Sequence, residues 1–186
     1  MAETTTNAEL NGIDLEAVDQ TVKALRENPK LAESRFQITN NWISGGKSCT
    51  MVSSFFSGGA ETRHSQDFKI NADEPPALGG TDTSPNPVEH LLNALAGCIT
   101  TTLVAHAAIR GIEIEAIESS LEGELDLNGF LGLNPKTPKG YQNIRMDIKV
   151  KTADENLDKL RGFAQFSPVY STLTNGTPVE INIQSK

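Results

Sequence analysis

The chain has 186 residues, with 16 Lys and Arg against 24 Asp and Glu, and therefore a formal net charge of −8. Its length suits one domain or one domain with an appendage, and its acidic balance argues against partners such as nucleic acid or anionic membranes, which need basic surfaces. Hydrophobic residues make up 37% of the chain, which excludes a wholly disordered protein.

The N-terminal part predicts a short helix that stands apart from the rest of the chain. Apolar residues recur at helical spacing over 15–25, the other positions are mostly charged, and Asn28-Pro29 ends the segment. We therefore expect an N-terminal helical extension at 1–35 and one main domain at 36–186.

Strand signals follow the helix. Runs at 36–43 and 48–56 flank Gly45-Gly46, and two strand-like runs joined by such a turn predict a β-hairpin. A second glycine pair, Gly58-Gly59, marks the turn into a further strand that ends near Ile70. This part of the chain predicts an antiparallel sheet.

A long uncharged helix is predicted in the middle of the chain. Asn86 suits the N-cap, Pro87 the first helical position and Glu89 the acidic position of a capping box, and the pattern continues to about Arg110. The stretch 91–109 is long enough to span a bilayer, but its Thr, Asn and His residues favour a helix buried in a protein core. We expect no membrane partner.

The C-terminal third predicts three strands and one helix. A capping box of Thr152 and Glu155 opens the helix, in which Leu157, Leu160 and Phe163 face inward, and Ser167-Pro168 ends it. The strands are predicted at 112–127, 144–150 and 179–183. This order gives an α+β fold, with a mainly antiparallel sheet around the long buried helix.

Few residues suit catalysis. The three histidines, His64, His90 and His106, lie far apart without acidic or thiol neighbours at metal-ligand spacing, and no glycine-rich phosphate loop occurs. We predict no metal and no cofactor. Two cysteines are too few for a secreted disulfide scaffold, and the first ten residues lack the apolar segment of a secretory leader, so we expect a cytoplasmic protein.

Cys98 is the candidate nucleophile. It follows Ala96-Gly97 in the most apolar helix, where small neighbours let another molecule approach the sulfur. A cysteine in such a helix is also commonly a small buried hydrophobic residue. The residue types alone leave both interpretations open.

Several motifs around Cys98 resemble those of the OsmC/Ohr family. The run 86–98, Asn-Pro-Val-Glu-His-Leu-Leu-Asn-Ala-Leu-Ala-Gly-Cys, resembles the signature of its central helix. The stretches 72–76 and 79–82 and the downstream 167–169, Ser-Pro-Val, resemble its OsmC-like branch. The resemblance covers roughly 36–184 and is carried by several motifs in the right order.

This resemblance implies an intertwined homodimer with active sites at the subunit interface. It also implies a thiol peroxidase that reduces organic hydroperoxides, in which Cys98 occupies the position of the attacking cysteine. In the family a second cysteine then forms a disulfide with the first, and an arginine and a glutamate organise the thiolate and the proton transfers.

The chain departs from the family pattern at three positions. Ser167 stands where the peroxidases carry the second cysteine, so no internal disulfide can form there. Val88 stands at the glutamate position, and the neighbouring Glu89 suits a helix cap better than catalysis. Lys47 corresponds most nearly to the arginine, with Arg63 as an alternative.

Other residues near the motifs have two interpretations each. Cys49 is either a resolving thiol or an ordinary strand residue. Thr101 and Thr102 either line a pocket or bond back to helix carbonyls. Ser167 and Tyr170 are predicted as pocket-lining residues, although Tyr170 also suits simple packing.

We expect a one-cysteine peroxidase whose Cys98 is oxidised by an organic hydroperoxide and recycled by an external thiol reductant. The alternative is a non-catalytic dimer that binds a small apolar or thiol-containing ligand. A third possibility is a dimer-forming scaffold without a pocket. The loss of the second cysteine at Ser167 and the displaced glutamate favour the ligand-binding dimer, whereas the retained Cys98 favours the peroxidase. The long loop rich in proline and glycine before the central helix argues against the scaffold.

Overall fold

The computed structural model describes residues 9–185 and divides them into two compact units. The first unit contains residue 9 and 14–91, and the second contains 10–13 and 92–185. The predicted division at residue 35 separates an extension from a family domain and stays a prediction. Residues 1–8 of that extension and residue 186 lie outside the described residues.

The first unit begins with the predicted N-terminal helix. Helix α1 (Leu15–Glu27) starts at Asp14, whose carboxylate accepts a hydrogen bond of 2.9 Å from the Ala17 amide. It ends at Asn28, and a short 3₁₀ turn follows. The predicted helix and its predicted end at Asn28-Pro29 are confirmed, because the proline acts locally.

The sheet of the first unit is built on one long central strand. Its strands are β3 (Arg35–Phe36), β4 (Thr39–Ser44), β5 (Lys47–Ser57) and β6 (Ala60–Ala72), after a small two-stranded sheet of β1 (Glu9–Leu10) and β2 (Ile13–Asp14). All of β3, β4 and β6 pair antiparallel with β5. The predicted hairpin at Gly45-Gly46 and the turn at Gly58-Gly59 are confirmed.

The loop between β6 and the long helix closes around one carboxylate. Asp73 is fully buried, and it accepts hydrogen bonds from the Glu74 amide and from the amides and hydroxyls of Thr81 and Thr83. Burial by itself raises the pKa of Asp73, but these hydrogen bonds together hold it well below its ordinary value. The carboxylate therefore fixes a loop that has little regular structure of its own.

A glycine allows this loop to close. A Cβ on Gly80 would lie 1.7 Å from the carbonyl oxygen of Glu74, so we expect Gly80→Ala to lower the melting temperature by about 5–10 °C. Gly162→Ala is the matched control because nothing lies within 4 Å of its added methyl. Thermal unfolding of both variants by circular dichroism tests this, and an unchanged melting temperature for Gly80→Ala would contradict the packing.

The long helix, α2 (Pro87–Ile109), begins as the sequence predicts. The Glu89 carboxylate accepts from the Asn86 amide at 2.8 Å, and the Asn86 side-chain oxygen accepts from the Glu89 amide at 2.9 Å. His90 Nε2 lies 2.9 Å from the Asn71 carbonyl oxygen at the end of β6. The helix start is thus held by a reciprocal capping box and a bond to the sheet.

The core of the second unit lies against α2. Strands β7 (Ala116–Glu124) and β8 (Asn143–Lys151) pair antiparallel along their whole length, and their alternate apolar residues pack on the core. Along the chain, a short helix, α3 (Leu127–Phe130), separates the two strands. The buried core residues are Leu95, Ile99, Leu103, Ala107, Ile112, Leu160 and Phe163. Burying each large side chain contributes about 1.5–3 kcal/mol.

Helix α2 buries one face within this single chain. Its core residues, Leu95, Ile99, Leu103 and Ala107, recur every four residues, whereas Asn93, Ala94, Gly97 and Thr101 are exposed. By length and hydropathy α2 could also cross a membrane, a test that core helices of globular proteins pass as well. Its packing in the core agrees with the predicted central helix.

Two predictions at the ends of strands are wrong. The strand predicted from residue 112 begins only at Ala116, because the Asn11 side chain bonds the Ile112 carbonyl and the Ile114 amide at 2.9 and 2.8 Å. The predicted capping box at Thr152 does not form, because its hydroxyl donates to the Glu113 carbonyl at 2.6 Å. In both cases a group that the local pattern assigns to the strand or the cap is hydrogen-bonded to a residue far away in the sequence.

The C-terminal part also differs from the prediction. Helix α4 (Leu157–Phe163) forms as predicted, and a further helix, α5 (Pro168–Asn175), begins directly after Ser167. Residues 176–185 form no strand, and Val179, Ile181 and Ile183 are 80%, 78% and 92% exposed. The alternating pattern is present, but the described chain supplies no partner strand for it.

Candidate active site

Cys98 lies on the part of α2 that belongs to the second unit. Its neighbours Leu95 and Ile99 point into the core, and Gly97 is exposed, so the sulfur lies at the border between core and surface. The side chain is partly buried, and its thiol is free. It is therefore neither a sealed core residue nor fully open to water.

Ser167 contacts the sulfur directly. The Ser167 hydroxyl donates a hydrogen bond to Cys98 Sγ at 3.1 Å, and the Ser167 side chain is completely buried. The same oxygen accepts from the Tyr170 amide at 3.2 Å and so caps α5. The structure thus brings Cys98 together with Ser167, the residue at which the resemblance predicts the second cysteine.

The threonines of α2 bond to the helix itself. The Thr102 hydroxyl donates to the Cys98 carbonyl at 2.7 Å, and the Thr101 hydroxyl donates to the carbonyls of Gly97 and Cys98 at 3.0 and 3.1 Å. This is the back-bonding use of threonine in helices. Thr102 is buried and Thr101 exposed, and their predicted part in lining a pocket stays a prediction, as does that of the 42% exposed Tyr170.

The remaining predicted site residues lie in the first unit. Glu89 is engaged in the capping box described above. Lys47 opens β5 opposite Ser44, and Cys49 follows it on the same strand. Arg63 on β6 forms an exposed ion pair with Asp67 at 3.4 Å. Their roles toward Cys98 stay predictions.

A stack of aromatic and basic groups lies further along α2. The His106 ring is parallel to Phe166 at a centroid distance of 4.5 Å, and Arg110 lies over the Phe163 ring at 4.6 Å. An Arg110 nitrogen lies 3.0 Å from His106 Nδ1. Burial first, and then the charge of Arg110, lower the pKa of His106. An arginine nitrogen can only donate, so His106 Nδ1 accepts from Arg110.

The second unit also holds a cavity of about 530 Å³ between α2, β8 and α4. It is lined mainly by apolar side chains, among them Leu103, Met146, Leu157 and Leu160. Neither Cys98 nor Ser167 lines it. Over residues 9–185, no three His, Cys, Asp or Glu side chains gather in an arrangement that would hold a metal ion.

Sequence reasoning missed two structural roles, one in each unit. It treated Ser167 as a lost cysteine and a pocket-lining residue and missed the cap, although a serine directly before a proline is a signal for a helix N-cap. It also passed over Asp73, whose signal is an acidic residue eight and ten positions before two threonines in a loop rich in glycine and proline. Spacing along the sequence does not by itself reveal that Ser167 contacts Cys98 or that Asp73 binds the two threonines.

The sequence was compared with models of known protein families and with curated protein sequences. The sequence model of the family described as OsmC-like protein matches residues 80–182, more than half of the chain. A search of curated protein sequences gives no match.

Three solved structures are similar in fold. An OsmC-like protein from Mycoplasma pneumoniae is 18% identical with a TM-score of 0.58, over 76% of this chain and 89% of its own. A putative osmotic stress induced and detoxification response protein from Psychrobacter arcticus is 14% identical with a TM-score of 0.55, over 73% and 85%. A Legionella pneumophila protein, described as an organic hydroperoxide resistance protein, is 17% identical with a TM-score of 0.51, over 75% and 90%. These likenesses support the α+β fold with antiparallel sheets.

Proposed function

Because the chain belongs to the OsmC-like family, we propose that it is a cytoplasmic, homodimeric thiol peroxidase that reduces organic hydroperoxides with Cys98 as its reacting cysteine. The observation that carries this proposal is the free, partly buried Cys98 thiol, which accepts a hydrogen bond from a buried hydroxyl. A structural neighbour from Legionella pneumophila is described as an organic hydroperoxide resistance protein. The resemblance of the motif around Cys98 to the family signature supports the same activity.

The first step consumes the thiolate. The Cys98 sulfur attacks the terminal oxygen of the hydroperoxide, a sulfur–oxygen bond forms and the oxygen–oxygen bond breaks. The sulfur is oxidised by two electrons to a sulfenic acid, and the peroxide is reduced to an alkoxide. The alkoxide takes up a proton and leaves as the alcohol.

The second stage needs thiols from outside the chain, because Ser167 has no thiol to form a disulfide. One external thiol attacks the sulfenic sulfur and forms a mixed disulfide with loss of water. A second external thiol then attacks the mixed disulfide, which restores Cys98 and releases the oxidised reductant. The sum is one hydroperoxide and two thiols giving one alcohol, one water and one disulfide.

A cation close to the sulfur would assist this cycle. Lys47 is our proposed candidate, and Arg63 is the alternative, although Arg63 is already paired with Asp67. Lysine carries the charge but lacks the planar fork of arginine. Glu89 is a weak candidate for proton transfer because both partners of its capping box are satisfied.

The homodimer is supported by apolar surface that a single chain leaves uncovered. On the sheet of the first unit, Phe36, Ile38 and Trp42 are 76%, 66% and 75% exposed. In the second unit the alternating residues of 179–183 pair with no strand among residues 9–185. Clusters of this kind mark protein interfaces, and a second copy would cover them.

One observation favours the alternative function. The loss of the second thiol at Ser167 removes the internal disulfide that the family's peroxidases use, while the fold is kept. A dimer that binds a small apolar or thiol-containing ligand would need neither thiol. This alternative function predicts that a ligand raises the melting temperature equally in the wild type and in Cys98→Ser. It also predicts that neither protein consumes peroxide.

The deciding experiment uses cumene hydroperoxide with dithiothreitol as the external thiol. We expect the wild type and Cys49→Ser to consume peroxide at the same rate and to form a dimedone adduct on Cys98. Cys98→Ser is expected to do neither. Folded protein that consumes no peroxide and forms no adduct on Cys98 would exclude the peroxidase, and a rate lost in Cys49→Ser would show that Cys49 takes part.

A further inference from the structure

We propose that Ser167 positions the sulfur of Cys98 and stabilises negative charge that develops on it, because the Ser167 hydroxyl passes on the hydrogen bond that it receives from an N-terminal amide of α5. The inference rests on three groups joined by two hydrogen bonds: the Tyr170 amide, the Ser167 hydroxyl and the Cys98 sulfur. It deepens the proposed function, because it names a positioning residue for the reacting thiol and therefore rests on that function.

The geometry determines the direction of the hydrogen bonds. The Tyr170 amide can only donate, so it occupies a lone pair of the Ser167 oxygen at 3.2 Å. The single hydroxyl proton then points at the sulfur, 3.1 Å away. Because the Ser167 side chain is fully buried, water does not compete for that proton.

The backbone around Ser167 is held on both sides. Its amide donates to the Ala164 carbonyl at 3.1 Å, and its own carbonyl accepts from the Ser171 amide at 2.9 Å. The hydroxyl therefore meets the sulfur from a fixed position. Such preorganised donors stabilise a charge without a cost of reorientation when the charge forms.

The electrostatic effect comes from a helix other than the one that carries Cys98. Cys98 lies eleven residues after the first residue of α2, well beyond the first turn, where the positive end of a helix acts. The N-terminal amides of α5 are unpaired within their own helix, and one of them polarises the Ser167 hydroxyl. Hydrogen bonds in such a chain strengthen one another in a buried setting.

The substitution that removes the family's second thiol therefore supplies a hydrogen-bond donor in its place. A thiol at this position is a weak donor, whereas a hydroxyl is a strong one. Ser167 thus favours a reactive thiolate that must be recycled from outside the chain.

The test compares two variants that both lack the hydroxyl, in a Cys49→Ser background. Ser167→Ala weakens the helix cap, whereas Ser167→Gly keeps most of its capping ability. The readouts are the pH profile of iodoacetamide alkylation of Cys98 and the ultraviolet absorbance of its thiolate. Ser171→Ala, on the same helix, is the matched control.

We expect both variants to shift the midpoint of the pH profile upward by about one pH unit, with a roughly tenfold lower rate at neutral pH and an unchanged plateau at high pH. The control should match the parent. An unchanged midpoint in both variants would overturn the relay, and so would a shift confined to Ser167→Ala, because that would follow the helix cap. A raised plateau without a shifted midpoint would likewise overturn it, since that reports exposure of the sulfur.

These measurements need no peroxide. If the relay fails while peroxide is still consumed, the proposed function stands without this role for Ser167. If no peroxide is consumed while the midpoint shifts as expected, the relay stands and the peroxidase does not.

Discussion

Replacing Ser167 by Cys is expected to turn a chain that depends on external thiols into one that forms its own disulfide with Cys98. The Ser167 oxygen lies 3.1 Å from the Cys98 sulfur, and a disulfide needs sulfur atoms about 2.05 Å apart. A longer carbon–sulfur bond and a small side-chain rotation cover this difference. After one equivalent of cumene hydroperoxide, we expect nearly all of the Ser167→Cys protein to carry this disulfide.

The measurement is peptide mass spectrometry without reductant, together with dimedone labelling. In the wild type dimedone should label Cys98, whereas in Ser167→Cys the new thiol attacks the sulfenic sulfur first and labelling should disappear. Ser171→Cys, four residues further along α5, is the matched control and should keep the label. Persistent labelling of Cys98 in folded Ser167→Cys would show that the observed contact is not maintained in solution.

Replacing Asp73 by Asn is expected to destabilise the first unit strongly. Asp73 accepts hydrogen bonds from three backbone amides and two hydroxyls, and an amide group of the same size can accept from only some of them. Buried donors without partners are costly, so we expect the melting temperature to fall by roughly 10 °C. Asp82→Asn is the matched control because Asp82 is exposed in the same loop and asparagine tolerates its φ of 56°.

The difference in stability between the wild type and Asp73→Asn should depend on pH. The pKa of Asp73 is lowered in the fold from its ordinary value of 3.8, so its stabilisation is complete above that value and is lost as the pH falls further. The difference in melting temperature between wild type and Asp73→Asn should be constant from pH 7 to about pH 5 and shrink only in stronger acid. A difference that already declines between pH 7 and pH 5 would contradict a carboxylate held in its charged form.

Elements that depend on neighbouring residues could be predicted from the sequence. The capping box of Asn86 and Glu89, the hairpin at Gly45-Gly46 and the alternation along β8 each follow from chemistry within a few positions. The predicted cap at Thr152 failed by contrast, because its hydroxyl bonds a carbonyl 39 residues away. A local signal holds only while no distant group competes for the same hydrogen bond.

The predicted closing strand at 179–183 shows a second limit of prediction from local sequence patterns. Val179, Ile181 and Ile183 have the alternation of a strand, but a strand forms only when its backbone groups find a partner. Whether a segment finds one depends on the whole assembly, which spacing along one chain does not reveal.

By itself the sequence indicated the family and the α+β class with most of its elements, and it pointed to Cys98 as the candidate nucleophile, because these follow from motifs and periodicities that each occupy a short stretch. Only the tertiary structure decided what lies against the sulfur. Ser167 is 69 residues from Cys98 along the chain, and their contact depends on how α5 packs beside α2 rather than on any local pattern. A hydrogen bond of this kind joins groups whose separation is set by the packing of the core, so it can be found only once that packing is known.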